Sequence, residues 1–229
     1  MTKIAIILGS TRPQRIGEPV ARWVHEVAAT RGDAEFSMID LRDAGLPLLD
    51  EPLSPIMGRY EQPHTVRWAE TVRPFDGFVF VTPEYNHGIP GALKNAIDFL
   101  YQEWHHKAAG FVGYGGDGGV RAVEQLRQVL GQLRVAAVAD QVALSVFTDF
   151  ADFTVFTPRP EHEAALQAML SQVIAWAEAL RPLRASCSDS GRCCQCSTAC
   201  RLERGEGLRA RWVCLRHLLR TQEALHGAP

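Results

Sequence analysis

Cysteine is missing from the first 186 residues of this 229-residue chain, and all six cysteines lie between Cys187 and Cys214. Most of the chain therefore has neither a thiol nucleophile nor an intrachain disulfide. Long apolar runs are missing too. The run from Ile4 to Leu8 is too short for a signal peptide, and no other run approaches the length of a membrane span. These absences predict a cytoplasmic protein with no membrane span.

A large excess of one charge is also absent. The net charge is -2 at pH 7, so the whole molecule offers no electrostatic attraction to nucleic acid. The balance nevertheless changes along the chain, because residues 1–184 hold 17 Lys and Arg against 22 Asp and Glu, whereas residues 185–229 hold 7 Arg against 4 acidic residues. Together with the cysteines, this change predicts one domain over 1–184 and a Cys- and Arg-rich C-terminal extension over 185–229.

Apolar runs and helical repeats alternate through the first domain. Continuous apolar runs, typical of strands covered on both faces, occur at 4–8, 77–82 and 108–113. Residues 34–39 alternate as an edge strand does, and a fifth strand is predicted at 141–146. Five strands alternating with five helices predict an α/β three-layer sandwich around a parallel sheet. With the alternating strand at the edge, the flavodoxin-like order 2-1-3-4-5 fits best, and its ligand crevice lies between the ends of strands one and three.

The loop after the first strand, Gly9-Ser-Thr-Arg-Pro-Gln-Arg-Ile-Gly17, has the composition of a phosphate site. Ser10 offers a hydroxyl, and Arg12 and Arg15 offer guanidinium groups. The helix predicted from Gly17 adds free N–H groups and the positive end of its dipole. The loop lacks the Lys-Ser/Thr ending of a P-loop, which argues against a nucleoside triphosphate. A polar turn with a solvated arginine pair is the alternative.

The loop after the third strand, Pro83-Glu-Tyr-Asn-His-Gly88, is the second candidate. Asn86 and Gly88 suit a sharp turn, and Pro90 suits the start of the helix that follows. Because the ends of strands one and three meet at the predicted crevice, this loop and the first one are expected to converge on one flat ligand. An ordinary connection between strand and helix is the alternative.

The loop after the fourth strand, Gly113-Tyr-Gly-Gly-Asp-Gly118, matches the dinucleotide-binding pattern G-x-G-x-x-G. The acidic residue that should follow at the end of the next strand is misplaced, because Asp140 precedes the predicted fifth strand. We therefore interpret this loop as a third wall of the same crevice, with its backbone amides facing the ligand. A flexible glycine-rich turn without a ligand is the alternative.

These three loops, with Leu93-Lys-Asn-Ala-Ile-Asp98 and Arg121-Ala-Val-Glu-Gln-Leu126, resemble the NAD(P)H-dependent FMN reductase family, a flavodoxin-like group of flavin, quinone and azo-dye reductases. The resemblance covers residues 1 to about 184. It implies bound FMN, NADPH or NADH as hydride donor, and a flavin or quinone as the small-molecule electron acceptor. A chromate or azo-dye reductase and a non-catalytic FMN-binding electron carrier or sensor are the alternatives. The resemblance also implies a homodimer, with the long 40–59 segment as the expected contact.

By position, the resemblance implies a set of FMN contacts. The FMN phosphate is expected at Ser10, Arg12, Arg15 and Gly17, the isoalloxazine and ribityl chain at Pro83, Glu84, Tyr85, Asn86 and Gly88, and the side of the ring at Gly115 and Gly116. No side chain is assigned to catalysis, since the cofactor carries the chemistry, and Tyr85 and Asn86 are the nearest candidates. Lys94, Asn95 and Asp98 are expected to support the preceding loop, and His105-His106 is expected to be a surface pair.

Three interpretations of the C-terminal extension stay open. Cys193-x-x-Cys196 and Cys214-x-x-His217 are separated by seventeen residues, the spacing of a tetrahedral zinc site. Leu208, Trp212, Leu215 and Leu219 would share one face of a basic amphipathic helix. The abrupt change in composition also fits a disordered or loosely docked extension, or an out-of-frame one.

Overall fold

The computed structural model describes residues 1–189, 200–203 and 211–214. The chain divides into two compact units, Met1–Pro182 and Leu183–Pro229. The first unit carries the predicted sheet and the three candidate loops.

The first unit is built on a five-stranded parallel sheet with the order β2-β1-β3-β4-β5. Its strands are β1 (Thr2–Leu8), β2 (Ala34–Asp40), β3 (Gly77–Pro83), β4 (Ala108–Gly115) and β5 (Ala136–Ser145). Leu8, the last residue of β1, pairs with Asp40 on one side and Val81 on the other. The predicted flavodoxin-like order is confirmed, and the loops after β1, β3 and β4 leave the same edge of the sheet.

Helices cover both faces of this sheet. They are α1 (Gly17–Ala29), α2 (Leu41–Ala44), α3 (Pro63–Val72), α4 (Gly91–Asp98), α5 (Val120–Gln132) and α6 (Pro160–Asp189). One core cluster joins Ile6 of β1 to apolar residues of α1 and α6, such as Val24 and Val173. The other joins Ile7 to residues of α3, α4 and α5, such as Trp68. Alternate residues of β1 thus face opposite helical layers, as expected for a strand buried on both sides.

The structure differs from the predicted elements in several places. Strand β5 begins at Ala136, so Asp140 lies inside it and still not at its end. In the edge strand β2, Met38 is 44% exposed, so the predicted apolar face is only partly covered. A hairpin of β6 (Phe150–Ala151) and β7 (Val155–Phe156) follows β5, and its two-residue strands are too short to show a sequence period. Helix α6 continues to Asp189, past the compositional boundary at residue 184.

The described part of the second unit contains a short antiparallel pair. Strands β8 (Cys200–Glu203) and β9 (Arg211–Cys214) place Cys200 opposite Cys214. Trp212 thus lies in a strand, whereas one of the three interpretations had it in a helix. Cys193, Cys196 and His217 lie outside the described residues, so the zinc site stays a prediction, as does the loose or disordered character of the extension. None of the helices in the described ranges has the length and apolarity to cross a membrane.

Candidate active site

The three candidate loops meet at one edge of the sheet. Ser10 Oγ, after β1, lies 2.9 Å from Tyr85 Oη, after β3. The Glu84 N–H donates to the Tyr114 carbonyl of β4 at 3.1 Å. A cavity of about 130 Å³ lies between the loops and is lined by Arg12, Arg15, Ile16, Pro83, Glu84, Tyr85, Tyr114, Gly115 and Val146. The expected convergence of the loops is therefore found.

Arg15 organises the loop after β1. Its guanidinium donates from Nη1 to the Ser10 carbonyl at 2.6 Å and to Asp40 Oδ1 at 2.8 Å, and Nη2 pairs with Asp40 Oδ2. The hydrogen bond to Asp40 raises the pKa of Arg15. Burial alone would raise the pKa of Asp40, but the hydrogen bonds from Arg15 and from the Arg42 N–H lower it below its ordinary value. Both groups are therefore charged at neutral pH, and most of the Arg15 charge is balanced.

The same loop keeps donors that fit an anion. Arg15 Nε is buried and has no hydrogen-bond partner among the described residues. The exposed Arg12 side chain lines the cavity. Helix α1 follows Ile16, whose side chain makes no capping hydrogen bond, so the N-cap side chain does not occupy the N–H groups of the first turn. These donors suit a phosphate monoester, the group that the resemblance implies at this loop.

Gly17 is explained by packing against Tyr114. A Cβ at position 17 would collide with the Tyr114 hydroxyl oxygen and lie 2.7 Å from Cζ. Tyr114 is only 3% exposed, and burial raises its pKa, so its hydroxyl stays protonated at neutral pH. The Ser10 side chain opposes this rise in the pKa but is a smaller effect than burial. Tyr114 thus packs against the β1 loop where that loop lines the cavity, a role that the sequence did not reveal.

Tyr85 and Gly88 close a tight turn after β3. The N–H of each donates to the carbonyl of the other, at 2.9 and 3.1 Å. Asn86 and His87 between them have φ values of 49° and 72°, the combination that a two-residue hairpin turn requires. Gln125 of α5 supports the turn, since its Oε1 accepts the Ile89 N–H at 2.8 Å. The sharp turn predicted at Asn86 is therefore present.

Glu84 directs its carboxylate away from the cavity. The side chain is 7% exposed and accepts the Arg121 Nε–H at 2.5 Å and the Arg121 backbone N–H at 3.1 Å, at the start of α5. Arg121 also pairs with Asp117 at 2.6 Å. The Glu84 carboxylate therefore acts as a helix cap. Its backbone and the apolar part of its side chain are left to line the cavity.

Gly115 and Gly116 present open backbone beside the cavity. A Cβ on Gly115 would come no closer than 3.5 Å to another atom, and one on Gly116 no closer than 3.6 Å, which are ordinary contacts. Neither residue has a positive φ. Neither the packing nor the backbone conformation of the protein thus requires glycine here, and the open surface fits a flat ring lying against it.

Two expectations for polar residues outside the cavity change. His105 is 7% exposed, and desolvation lowers its pKa to about 4, so its assignment to the surface was wrong. Asn95 supports the 40–59 segment, because its Nδ2 donates to the Pro47 carbonyl at 2.7 Å and its Oδ1 accepts the Leu49 N–H at 3.0 Å. The sequence had assigned Asn95 to the loop before its own helix.

Comparisons with known proteins show the family to which the chain belongs. Residues 2–149 match the family described as NADPH-dependent FMN reductase. The chain is 42% identical over 149 residues to an NAD(P)H-dependent FMN reductase of Schizosaccharomyces pombe, covering 64% of this chain and 74% of the relative. It is 33% identical over 135 residues to a quinone reductase of Pseudomonas putida, covering 56% and 68%.

The fold has a solved counterpart as well. The flavoenzyme NAD(P)H:(acceptor) oxidoreductase FerB of Paracoccus denitrificans superposes with a TM-score of 0.62 at 22% identity, over 78% of this chain and 98% of that one. The family match, with the converging loops, confirms the resemblance stated from the sequence. The chain belongs to the NADPH-dependent FMN reductase family and is an oxidoreductase of the FMN- and NAD(P)H-dependent type.

Proposed function

We propose that the three loops hold FMN and that the chain uses NAD(P)H to reduce a quinone or a free flavin. The observation that carries this proposal is the 2.9 Å contact of Ser10 with Tyr85, which joins the phosphate loop to the predicted ring loop over one cavity. When bound, FMN supplies the redox chemistry. In the overall reaction NAD(P)H gives up a hydride, solvent gives a proton, and the quinone becomes a hydroquinone.

The phosphate of FMN is assigned to the loop after β1. Arg15 Nε, the Arg12 guanidinium and the first-turn N–H groups of α1 are the donors that would bind it, with the Ser10 hydroxyl beside them. Because Asp40 balances much of the Arg15 charge, the exposed Arg12 supplies most of the uncompensated positive charge. Gly17 contributes a backbone N–H, and its missing side chain leaves room for Tyr114.

The ring system is assigned to the open rim of the cavity. A volume of about 130 Å³ is smaller than the roughly 300–1,000 Å³ usual for an enclosed ligand pocket, so the cavity suits the phosphate end of FMN. The open backbone of Gly115 and Gly116 and the turn from Tyr85 to Gly88 would then flank the isoalloxazine. Tyr85 is 37% exposed and its hydroxyl is fixed by Ser10, which suits it to orient a ligand.

A quinone is the acceptor that a relative supports. The quinone reductase of Pseudomonas putida shares 33% identity over 135 residues. The family itself is described by reduction of FMN, so free flavin is retained as a second acceptor. Transfer to chromate or azo dyes, and electron carriage without turnover, are the outcomes that the test below separates from these.

A homodimer is part of the proposal. The 40–59 segment exposes large apolar side chains, namely Leu48, Leu49, Leu53, Ile56 and Met57. Asn95 holds this segment through two hydrogen bonds, so the apolar surface is presented by an anchored segment. A dimer that buries the surface would dissociate in a Leu48→Ser/Ile56→Ser variant, measured by sedimentation equilibrium. A monomeric wild-type chain would contradict this part of the proposal.

The test of the function is spectroscopic. The purified chain is incubated with FMN, and binding is followed by the visible absorption and by quenching of FMN fluorescence. Anaerobic NADPH should then bleach the bound flavin, and added 1,4-benzoquinone should restore the absorbance and sustain NADPH oxidation. No FMN uptake would contradict the cofactor assignment. Turnover on chromate or on an azo dye, but not on quinone or flavin, would identify a reductase of that kind. Bleaching without steady-state turnover on any of these acceptors would instead identify an electron carrier.

A further inference from the structure

Two phenylalanine rings stand in solvent beside the cavity. Phe147 is 68% exposed and Phe153 is 61% exposed, and their ring centroids lie 5.8 Å apart with planes at 89°. Phe147 directly follows Val146, which lines the cavity. Phe147 Cε2 also lies 3.6 Å from the point where a Cβ on Gly116 would be. We call this pair the aromatic lip.

The segment that carries Phe147 is firmly held. Ser145 Oγ donates to the Gly116 carbonyl at 3.0 Å, which ties the end of β5 to the loop after β4. Asp149, which is fully buried, accepts the Ser145 N–H at 2.8 Å. Asp149 is itself bound by Arg159 Nε at 2.9 Å and by His162 Nε2 at 2.8 Å. The exposure of Phe147 is therefore imposed by a fixed backbone.

Phe153 is displayed at a conformational cost. It lies in the turn between β6 and β7, where Asp152 has a φ of 48° and Phe153 a φ of 59°. The left-handed region is unfavourable for a bulky side chain and normally holds glycine or asparagine. Here two unfavourable features coincide, since a strained residue also leaves its ring in water. Such a combination at the edge of a cavity indicates a ligand contact.

The charges near the lip disfavour an anion. Asp117, next to Gly116, has 66% of its side chain exposed, and Asp152, next to Phe153, is also exposed. Arg121 is paired with both Glu84 and Asp117. A chromate or other oxyanion approaching the lip would therefore meet carboxylates and a cation that is already paired. An uncharged flat molecule would meet two apolar ring surfaces instead.

We propose that the aromatic lip binds the electron acceptor and makes the enzyme selective for uncharged aromatic quinones over inorganic anions. This inference rests on the proposed function. A small quinone has little to offer except its two faces and its carbonyl groups, so its affinity depends strongly on ring contacts. NAD(P)H also has phosphates and a second base that the protein can bind, so its affinity depends on the lip much less.

The test uses the FMN-loaded full chain with Phe147→Ala, Phe153→Ala and the double variant. Val155→Ala is the matched control, because Val155 is 59% exposed on the same hairpin and is not part of the lip. KM is measured for 1,4-naphthoquinone and for chromate, together with the FMN dissociation constant and the rate of anaerobic bleaching by NADPH. We expect the double variant to raise the KM for 1,4-naphthoquinone about tenfold, which corresponds to about 1.4 kcal/mol of binding. In the double variant the KM for chromate, the FMN dissociation constant and the rate of bleaching should stay within about twofold of the wild type. In the control variant all four quantities should stay within that range.

The outcomes distinguish failure of this inference from failure of the proposed function on which it rests. If the wild type takes up FMN and is bleached by NADPH but the double variant keeps its quinone KM, the inference is wrong and the proposed function stands. If the wild type neither takes up FMN nor is bleached, the proposed function fails. An equal loss of activity with every acceptor, together with dissociation of the oligomer, would show that the lip is a subunit contact. This result also overturns the inference. If the double variant does not fold, the KM for 1,4-naphthoquinone is measured in Phe147→Leu, which keeps apolar bulk but lacks the ring. An unchanged KM in that variant overturns the inference.

Discussion

The loops after β1 and β4 line the same cavity but are built in opposite ways. In the β1 loop the polar side chains bind one another, with Arg15 joined to Asp40 and to the Ser10 carbonyl. In the β4 loop, Gly115 and Gly116 leave a backbone surface that no side chain needs or fills. The shape of the first loop depends on hydrogen bonds made by its side chains, whereas Gly115 and Gly116 of the second loop contribute only backbone. Substitutions in the first should therefore affect folding and ligand binding together, whereas substitutions at Gly115 and Gly116 should affect binding alone.

Replacing Arg15 by Ala should give the largest effect. Asp40 would lose its partner, and breaking a largely buried ion pair should lower the free energy of unfolding by about 3 kcal/mol. FMN affinity should fall at least about a hundredfold, since the Nε donor and the loop shape are lost together. Urea unfolding of the FMN-free chain and fluorescence titration with FMN measure the two effects. Arg15→Lys is the control, because it keeps the charge without the planar fork. Unchanged stability in Arg15→Ala would contradict the contrast between the loops.

Gly17→Ala should come next. The added methyl group collides with Tyr114, and overpacking of this kind should lower stability by about 2 kcal/mol. Because Tyr114 lines the cavity, FMN affinity should fall as well. Adding Tyr114→Phe removes the hydroxyl that suffers the closest collision and should recover part of the melting temperature. A double variant as unstable as Gly17→Ala would show that the collision with the hydroxyl oxygen is not the cause of the lost stability.

Gly116→Val should separate binding from folding. A Cβ here would meet only Phe147 Cε2, at an ordinary contact distance of 3.6 Å, so the free energy of unfolding of the FMN-free chain should change by no more than about 0.5 kcal/mol. FMN affinity should nevertheless fall about tenfold or more if the ring lies against this backbone. Gly131→Ala in α5 is the control, because its Cβ also has open space but lies on a helix and lines no part of the cavity. FMN binding that survived Gly116→Val would place the ring elsewhere.

Lowering the pH should reduce the contribution of Asp40 to the free energy of unfolding, and this is the smallest of the expected effects. The pKa of Asp40 is lower in the folded chain than its ordinary value of about 3.9, so its contribution to stability is full above that pH. The contribution is lost as the pH falls through the folded-state pKa. The stability difference between wild type and Asp40→Asn, measured by urea unfolding from pH 6 downward, should therefore shrink below about pH 4. A difference that stayed constant would mean that Asp40 is not held by Arg15.

The fold was predictable because its signals are local and repeated. Strands buried on both faces leave continuous apolar runs such as Ile4 to Leu8, and the sheet order then brings particular loops together. The contact of Ser10 with Tyr85 follows from that topology, although the residues are 75 positions apart. The same reasoning found the open glycines after β4, because a strand, a glycine-rich turn and a helix follow one another in the sequence.

The partners of the site residues were not predictable, because they depend on register and side-chain direction. Asp40 meets Arg15 only because it ends β2 beside the end of β1. Glu84 was expected at the ligand, yet its carboxylate is taken by the start of α5. Phe153 lies in a left-handed turn without glycine or asparagine, so neither turn chemistry nor a strand period marked its hairpin.

The two hydrogen bonds of Asn95 join the exposed 40–59 segment to α4, the helix that follows the Tyr85–Gly88 turn. Asn95 lies on α4, a helix of only 8 residues whose first turn follows directly from the hairpin at Tyr85. The backbone at Pro47 and Leu49 is therefore fixed to the helix that follows the hairpin.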